Sequence, residues 1–182
     1  MIRLLFIIMA FLVGCVTNRP VEDYARFTAS ALFNDNQDHQ GYGMSASASY
    51  NWVVDASRQI WLGPEFSYMW SQSETEVENT FGDKVWLDKT RSSCYLLGGR
   101  IEFGNRTALR AGAIYEEQKV QRSYDQYGLT EKPDEHSEFG WYVGLQNDLP
   151  LSQNIFLTPA LTFYVVDGKS NAVMEFGLTI GF

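Results

Sequence analysis

The stretch VMEFGLTIGF, residues 173–182, decides the fold class of this chain. From Met174 onward, large apolar side chains occupy every second position, and Glu, Gly and Thr occupy the positions between them. A period of two is typical of a β-strand with one apolar and one polar face. The alternation continues to Phe182, so we expect lipid to cover the apolar face, as it does in a membrane-spanning barrel.

Alternation of the same kind recurs along most of the chain. The eight apolar sets cover Phe27–Phe33, Tyr42–Trp52, Ile60–Trp70, Tyr95–Phe103, Leu109–Tyr115, Phe139–Leu145, Ile155–Val165 and Ala172–Phe182. Segments of about ten residues separated by turn residues are the signature of transmembrane β-barrels. The sequence therefore predicts an all-β fold, an eight-stranded antiparallel up-and-down transmembrane β-barrel over residues 24–182.

The two longest connections between these segments both belong to the odd-numbered set. The two longest are Ser71–Thr90 and Glu116–Ser137, whereas Val53–Arg58, Asn105–Thr107 and Gln146–Asn154 are shorter. Outer-membrane barrels have short periplasmic turns and longer external loops. We therefore expect the two long connections to be external loops.

The opposite face of the strands indicates which side is the lumen. It is rich in small residues: Gly43, Ser45, Ser47, Ser49, Gly63, Ser67, Gly98, Gly112, Gly140, Gly144, Gly177 and Gly181. Small side chains suit the crowded interior of a narrow barrel. The apolar face places aromatic residues near the strand ends, which is typical of interfacial girdles: Tyr42, Trp52, Trp70, Tyr95, Phe103, Tyr115, Trp141 and Phe182.

The predicted lumen also holds charged residues, which need partners when they are buried. A tight turn between the fourth and fifth strands places Glu102 opposite Arg110. We predict an ion pair between these two, with Glu65 and Glu175 reaching Arg100. We interpret this network as a structural plug rather than a proton or solute path, because side chains fill a barrel of this size.

The N-terminus has the anatomy of an export signal. Arg3 is followed by an apolar run too short to span a membrane as a helix, which predicts a signal peptide over residues 1–14 and a periplasmic tether over 15–23. The sequence Leu-Val-Gly-Cys at residues 12–15 resembles the bacterial lipobox, which implies acylation of Cys15. The alternative is cleavage by ordinary signal peptidase.

Composition excludes several classes of protein. A chain of 182 residues with a net charge of −8 suits one domain and is a poor partner for nucleic acid. We expect Cys94 to be a free thiol, because Cys15 would lie at the other end of a strand. Neither cysteine shows metal-ligand spacing, and we expect no cofactor, no metal and no catalytic residue.

The predicted barrel resembles the small outer-membrane barrels of the OmpX and opacity-protein type. In that family the barrel-assembly machinery reads the last strand, a role that would fall to Phe176, Leu178, Ile180 and Phe182. The resemblance implies a monomer in the bacterial outer membrane, surrounded by membrane lipid and lipopolysaccharide. Members serve as adhesins, structural proteins or lipid-modifying enzymes.

Acidic residues concentrate in the two long connections. The connection Ser71–Thr90 holds five acidic and two basic residues, and the connection Glu116–Ser137 holds six acidic and three basic residues. We expect these loops to bind a surface partner such as a host or cell-surface protein, or to take part in a structural role. Calcium bridging to lipopolysaccharide is a further possibility, although no EF-hand spacing is present.

Two other function classes are open at this point. His136 and Ser137 offer a base and a hydroxyl for a lipid A deacylase or acyltransferase, but adjacent strand residues point to opposite faces. A lipid-anchored, lipocalin-like soluble carrier would explain the lipobox. We expect surface binding and no wide pore.

Overall fold

The computed structural model describes residues 22–36, 39–78, 84–104, 106–124 and 129–182, so the predicted signal peptide and Cys15 lie outside the described residues. Its strands are β1 Tyr24–Asn36, β2 His39–Asp55, β3 Ile60–Glu78, β4 Lys84–Phe103, β5 Thr107–Tyr124, β6 Leu129–Thr130, β7 Asp134–Asn147, β8 Leu149–Pro150, β9 Ile155–Val166 and β10 Lys169–Gly181. In these ranges no helix is long and apolar enough to cross a membrane.

The long strands form a closed ring. Each pairs antiparallel with the next long strand in the chain, and β10 pairs with both β9 and β1. The two-residue strands β6 and β8 are additions at the ends of β5 and β9. This arrangement confirms the predicted eight-stranded up-and-down barrel.

Local sequence sets the tight turns between the strands. Asp167 and Gly168 both have positive φ, at 50° and 70°, between the paired residues Val166 and Lys169. Asp-Gly in this conformation is the two-residue turn that best matches the twist of a hairpin. At the other end, the Asp55 carboxylate accepts hydrogen bonds from the Ser57 hydroxyl and the Arg58 amide. The hydrogen bond from the Ser57 hydroxyl is the main reason that the pKa of the Asp55 carboxyl is lowered.

The two long connections are largely strand rather than loop, which corrects the sequence-based expectation. β3 has 19 residues and β4 has 20, whereas a transmembrane strand needs about 9–11. The additional residues continue the β3–β4 and β4–β5 ladders beyond the apolar part of the barrel. They are mostly polar on both faces, so the hydrophobic alternation that predicted the inner part of each strand does not extend to them.

The predicted register between β4 and β5 is wrong by two residues. Arg100 pairs with Arg110, and Glu102 pairs with Ala108. The Arg106 amide donates to the Phe103 carbonyl at 2.7 Å, and Arg106 adopts a φ of 65°. The ladder is therefore centred one residue earlier in the turn than expected. Because side chains alternate with a period of two, a register shift of two residues leaves every side chain on its predicted face.

Candidate functional site

The exterior of the barrel is an apolar belt. The row Tyr68, Tyr95, Tyr115 and Phe139 crosses four adjacent strands, and successive ring centroids lie 5.2, 6.3 and 4.8 Å apart. Other large apolar residues exposed on the belt are Phe27, Phe33, Met44, Trp52, Leu62, Phe66, Leu97, Ile101, Phe103, Leu109, Trp141, Val143, Phe163 and Phe176. Such a surface requires lipid rather than water around it. A soluble carrier of the lipocalin type is therefore excluded.

The last strand has the predicted orientation. Leu178 is 52% exposed on the belt, and Thr179 is 1% exposed in the lumen. Phe176, Ile180 and Phe182 lie on the same exposed face as Leu178. Their reading by the barrel-assembly machinery stays a prediction.

Seven buried charged residues in the lower lumen form one alternating series. In order, the series is Asp148, Arg26, Glu102, Arg100, Glu65, Arg110 and Glu175. The nitrogen-to-oxygen distances along it are 2.8, 3.1, 3.0, 3.4, 3.3 and 3.0 Å. Every carboxylate thus contacts at least one guanidinium group, which offsets the cost of removing these charges from water.

The partners within this series differ from the predicted ones. Glu65 contacts Arg100, as the sequence analysis expected. Glu102 contacts Arg26 and Arg100 instead of Arg110, and Glu175 contacts Arg110 instead of Arg100. The two-residue register difference explains the first change, because it moves Arg110 away from Glu102 and toward the middle of the barrel.

Asp148 is a member of the network that sequence reasoning missed. It lies in the predicted Gln146–Asn154 connection, but it is buried. Its two carboxylate oxygens accept hydrogen bonds from the Arg26 guanidinium at 2.8 and 2.9 Å. Gln146 and Thr158 also donate to it. Because Asp148 follows the end of β7, the alternation rule does not predict the direction of its side chain.

An apolar layer closes the lumen on the outer side of the charged network. It consists of Leu32, Met69, Cys94, Leu96, Ile114, Tyr142, Tyr164, Val166 and Val173, which form one buried cluster. Cys94 is a free, buried thiol within it. The predicted small and polar lumen is therefore correct only in part. In segments such as Leu96-Leu97 both faces are apolar, so periodicity alone does not reveal the inward-facing member.

Beyond the apolar layer, the outer end of the lumen holds a partly open cavity of about 980 Å³, called the outer cavity below. Its wall is rich in Ser and Thr and includes Glu116, Glu138, His136 and Lys169. The Ser92 hydroxyl donates a hydrogen bond to the Glu116 carboxylate. The cavity is thus separated from the charged network by the buried apolar side chains.

His136 and Ser137 do not form a catalytic pair. His136 lines the outer cavity, and its Nε2 lies 2.9 Å from an Asp134 carboxylate oxygen. Ser137 is the next residue along β7, so its side chain is on the opposite face. The geometry therefore lacks the contact between base and nucleophile that acyl transfer needs.

Ion pairs stabilise the outer halves of the strands. Asp88 accepts two hydrogen bonds from Arg122, at 2.8 and 3.0 Å, which raise the pKa of that guanidinium. Lys119 donates to Glu135 at 2.8 Å, which lowers the pKa of the Glu135 carboxyl. Exposed pairs are individually weak, but each joins neighbouring strands. Asp88–Arg122 therefore joins the β3–β4 hairpin to the β5–β7 hairpin, and Lys119–Glu135 joins the two strands of the β5–β7 hairpin.

Comparison with solved structures identifies the architecture. The crystal structure of Ail, the attachment invasion locus protein of Yersinia pestis, matches with a TM-score of 0.54 and 12% identity, over 88% of this chain and 97% of that chain. The fold is that of the small outer-membrane β-barrels. Ail in complex with the heparin analogue sucrose octasulfate matches with a TM-score of 0.52 and 14% identity, over 88% of this chain and 97% of that chain. The crystal structure of OprG from Pseudomonas aeruginosa matches with a TM-score of 0.51 and 10% identity, over 88% of this chain and 96% of that chain.

No protein-family model and no curated protein sequence matches the chain. The structural likeness therefore establishes the fold, and the apolar belt supplies the physical reason for a membrane location. Together they assign the barrel to the bacterial outer membrane.

Proposed function

We propose that this barrel acts as a surface-binding protein that presents its two acidic outer hairpins to a basic partner outside the cell. The observation that carries the proposal is the extension of β3, β4 and β5 well beyond the length needed to cross the membrane. Strands on a rigid scaffold hold a binding surface in a fixed shape, which lowers the entropic cost of association.

The interior of the barrel argues against a transport role. The charged network and the apolar layer fill the lumen with buried side chains from every long strand except β2. A solute would have to separate buried ion pairs and then displace packed apolar groups. Side chains fill eight-stranded barrels of this kind, which favours a structural scaffold over a wide pore.

The charge of the hairpins favours a basic partner. Exposed carboxylates on their outer wall include Glu74, Glu76 and Glu135. Ail by its name is an attachment protein, and its structure with sucrose octasulfate contains a polyanionic ligand. An acidic surface would repel such a ligand, so we expect this barrel to bind positively charged protein surfaces instead.

The test is an exchange of the two hairpin ends, one at a time, for short turns in cells that display the barrel. We expect at least one exchange to abolish adhesion to protein-coated surfaces. Neutralising Glu74 and Glu76 together, as Gln, should weaken adhesion and reduce its salt dependence, because these charges steer the partner.

The control is Glu22→Gln, which removes one carboxylate from an exposed position at the opposite end of the barrel. Serum resistance and lipid A composition are measured in the same strains. Adhesion that survives both exchanges would contradict the proposal. Altered lipid A acylation with unchanged adhesion would favour the enzyme class instead.

A further inference from the structure

The outer cavity contains a carboxylate that differs from those of the charged network. Glu116 is half-buried, and the Ser92 hydroxyl donates to it. Within the described ranges it has no cationic partner, whereas Glu65, Glu102, Asp148 and Glu175 each contact at least one arginine. A half-buried anion without a counter-ion is costly.

A second carboxylate stands beside the first. Glu138 on β7 pairs directly with Glu116 on β5, and both line the outer cavity. Like charges opposite each other on neighbouring strands destabilise a sheet. Asp167 also lines the cavity, and the basic residues among its described lining are Lys169 and His136. The arrangement attracts positive charge into the outer cavity.

The floor of the outer cavity carries an independent sign of a ligand. Tyr164 is 5% exposed, belongs to the apolar layer and lines the cavity. Its hydroxyl makes no hydrogen bond to any part of the chain that the structure describes. A buried phenol usually has a hydrogen-bond partner, and this one lies in the wall of the cavity, where a bound ligand would supply it. Tyr164 thus offers the cavity a hydroxyl that has no partner among the described residues.

We propose that the outer cavity binds a small organic amine with more than one ammonium group, such as a linear polyamine. One ammonium group would lie between Glu116 and Glu138, within reach of the Tyr164 hydroxyl, and the serine and threonine hydroxyls would accept from the rest. The volume of about 980 Å³ is at the upper end of the range for small-molecule sites. This site is separate from the outer wall of the hairpins and does not depend on their proposed adhesive role.

An organic amine fits the cavity better than a metal ion does. Among the described residues, no group of three or more His, Cys, Asp or Glu side chains is arranged to hold a metal. Divalent calcium prefers six to eight oxygen ligands, and magnesium needs a near-octahedral set. An ammonium group needs only a few acceptors, which Glu116, Glu138 and the Tyr164 hydroxyl supply.

The test uses the full barrel, refolded in detergent micelles at physiological salt, with spermidine as the probe and titration calorimetry as the measurement. We expect saturable binding, weakened at least tenfold by Glu116→Gln and by Glu138→Gln. Tyr164→Phe should weaken it by a smaller factor. Neither glutamine variant should impair folding, because each removes a like-charge contact, and heat-modifiable gel mobility verifies this.

The matched control is Glu117→Gln, the same change at the next residue of β5, on the outer wall instead of the cavity. It should leave spermidine affinity unchanged. Absence of saturable binding would overturn the proposal, as would equal weakening by Glu116→Gln and Glu117→Gln. Equal affinity for Mg²⁺ would show that the site attracts charge without selecting an amine. None of these outcomes bears on adhesion by the hairpins.

Discussion

At the scale of single residues, Arg26 is the member of the charged network whose removal should cost most. Its guanidinium binds Asp148 through both nitrogens and also contacts Glu102 at 3.1 Å. Arg26→Met would leave two buried carboxylates with reduced compensation. We expect the free energy of unfolding to fall by about 3–5 kcal/mol, measured by chemical denaturation in detergent micelles.

The control for this prediction is Arg58→Met, since Arg58 lies exposed at the turn between β2 and β3. That variant should change stability by less than about 0.5 kcal/mol. The double variant Arg26→Met with Asp148→Asn should recover part of the lost free energy of unfolding, because it removes one of the buried carboxylates left without its arginine. Equal stability of the two single variants would show that the network does not stabilise the fold.

The residues of this network illustrate what sequence can predict and what it cannot. Alternation placed Glu65, Arg100 and Arg110 in the lumen, because the direction of a strand residue follows from its position alone. The choice of partner depends on which strands face each other across the lumen. Arg26 and Asp148 are separated by 122 positions, and only barrel closure brings them together.

At the scale of the element, two neighbouring glycines of β4 differ sharply in the space around them. A Cβ on Gly98 would lie 2.2 Å from the Ala111 carbonyl oxygen and 2.5 Å from the Tyr142 hydroxyl. On Gly99 the nearest atom would be 3.9 Å away. Gly98→Ala should therefore destabilise the barrel by about 1–3 kcal/mol through overpacking. Gly99→Ala is the matched control and should be close to neutral. Similar unfolding midpoints for the two would contradict the close packing of β4 against β5 and β7.

The outer halves of the long strands are the element that the hydrophobic pattern failed to predict. Their residues are mostly polar on both faces, and cross-strand pairs such as Glu74 with Lys89, at 2.9 Å, help to hold them. The backbone amides of residues 87–91 and 117–121 should therefore exchange slowly with solvent. Hydrogen exchange followed by NMR in lipid nanodiscs measures this, with the exposed turn residues 153 and 154 as the fast reference. Equally fast exchange in all three segments would restore the original expectation of loops.

At the scale of the whole molecule, the barrel is divided along its axis into three zones. The charged network fills the lower lumen, the apolar layer closes it, and the outer cavity lies beyond. Sequence predicted the closed barrel and its lipid-facing surface, because both follow from a period of two. It did not predict the zones, because they depend on the relative height of residues from many strands. The two proposed binding surfaces, the outer hairpins and the outer cavity, both belong to the outermost zone, where side chains do not have to face membrane lipid.

The apolar belt leads to a prediction about depth in the membrane. Leu178 lies on the lipid-facing side of β10, between Phe176 and Ile180, whereas Phe182 lies at the end of that side. A lysine costs about 2–4 kcal/mol near the middle of the bilayer and about 0–1 kcal/mol near its surface. Leu178→Lys should therefore destabilise the barrel in lipid vesicles far more than Phe182→Lys does, as measured by equilibrium unfolding with tryptophan fluorescence. Because the barrel is refolded from denaturant, the measurement is independent of recognition of the last strand by the assembly machinery. Equal costs at the two positions would mean that this face of β10 does not span the hydrocarbon core.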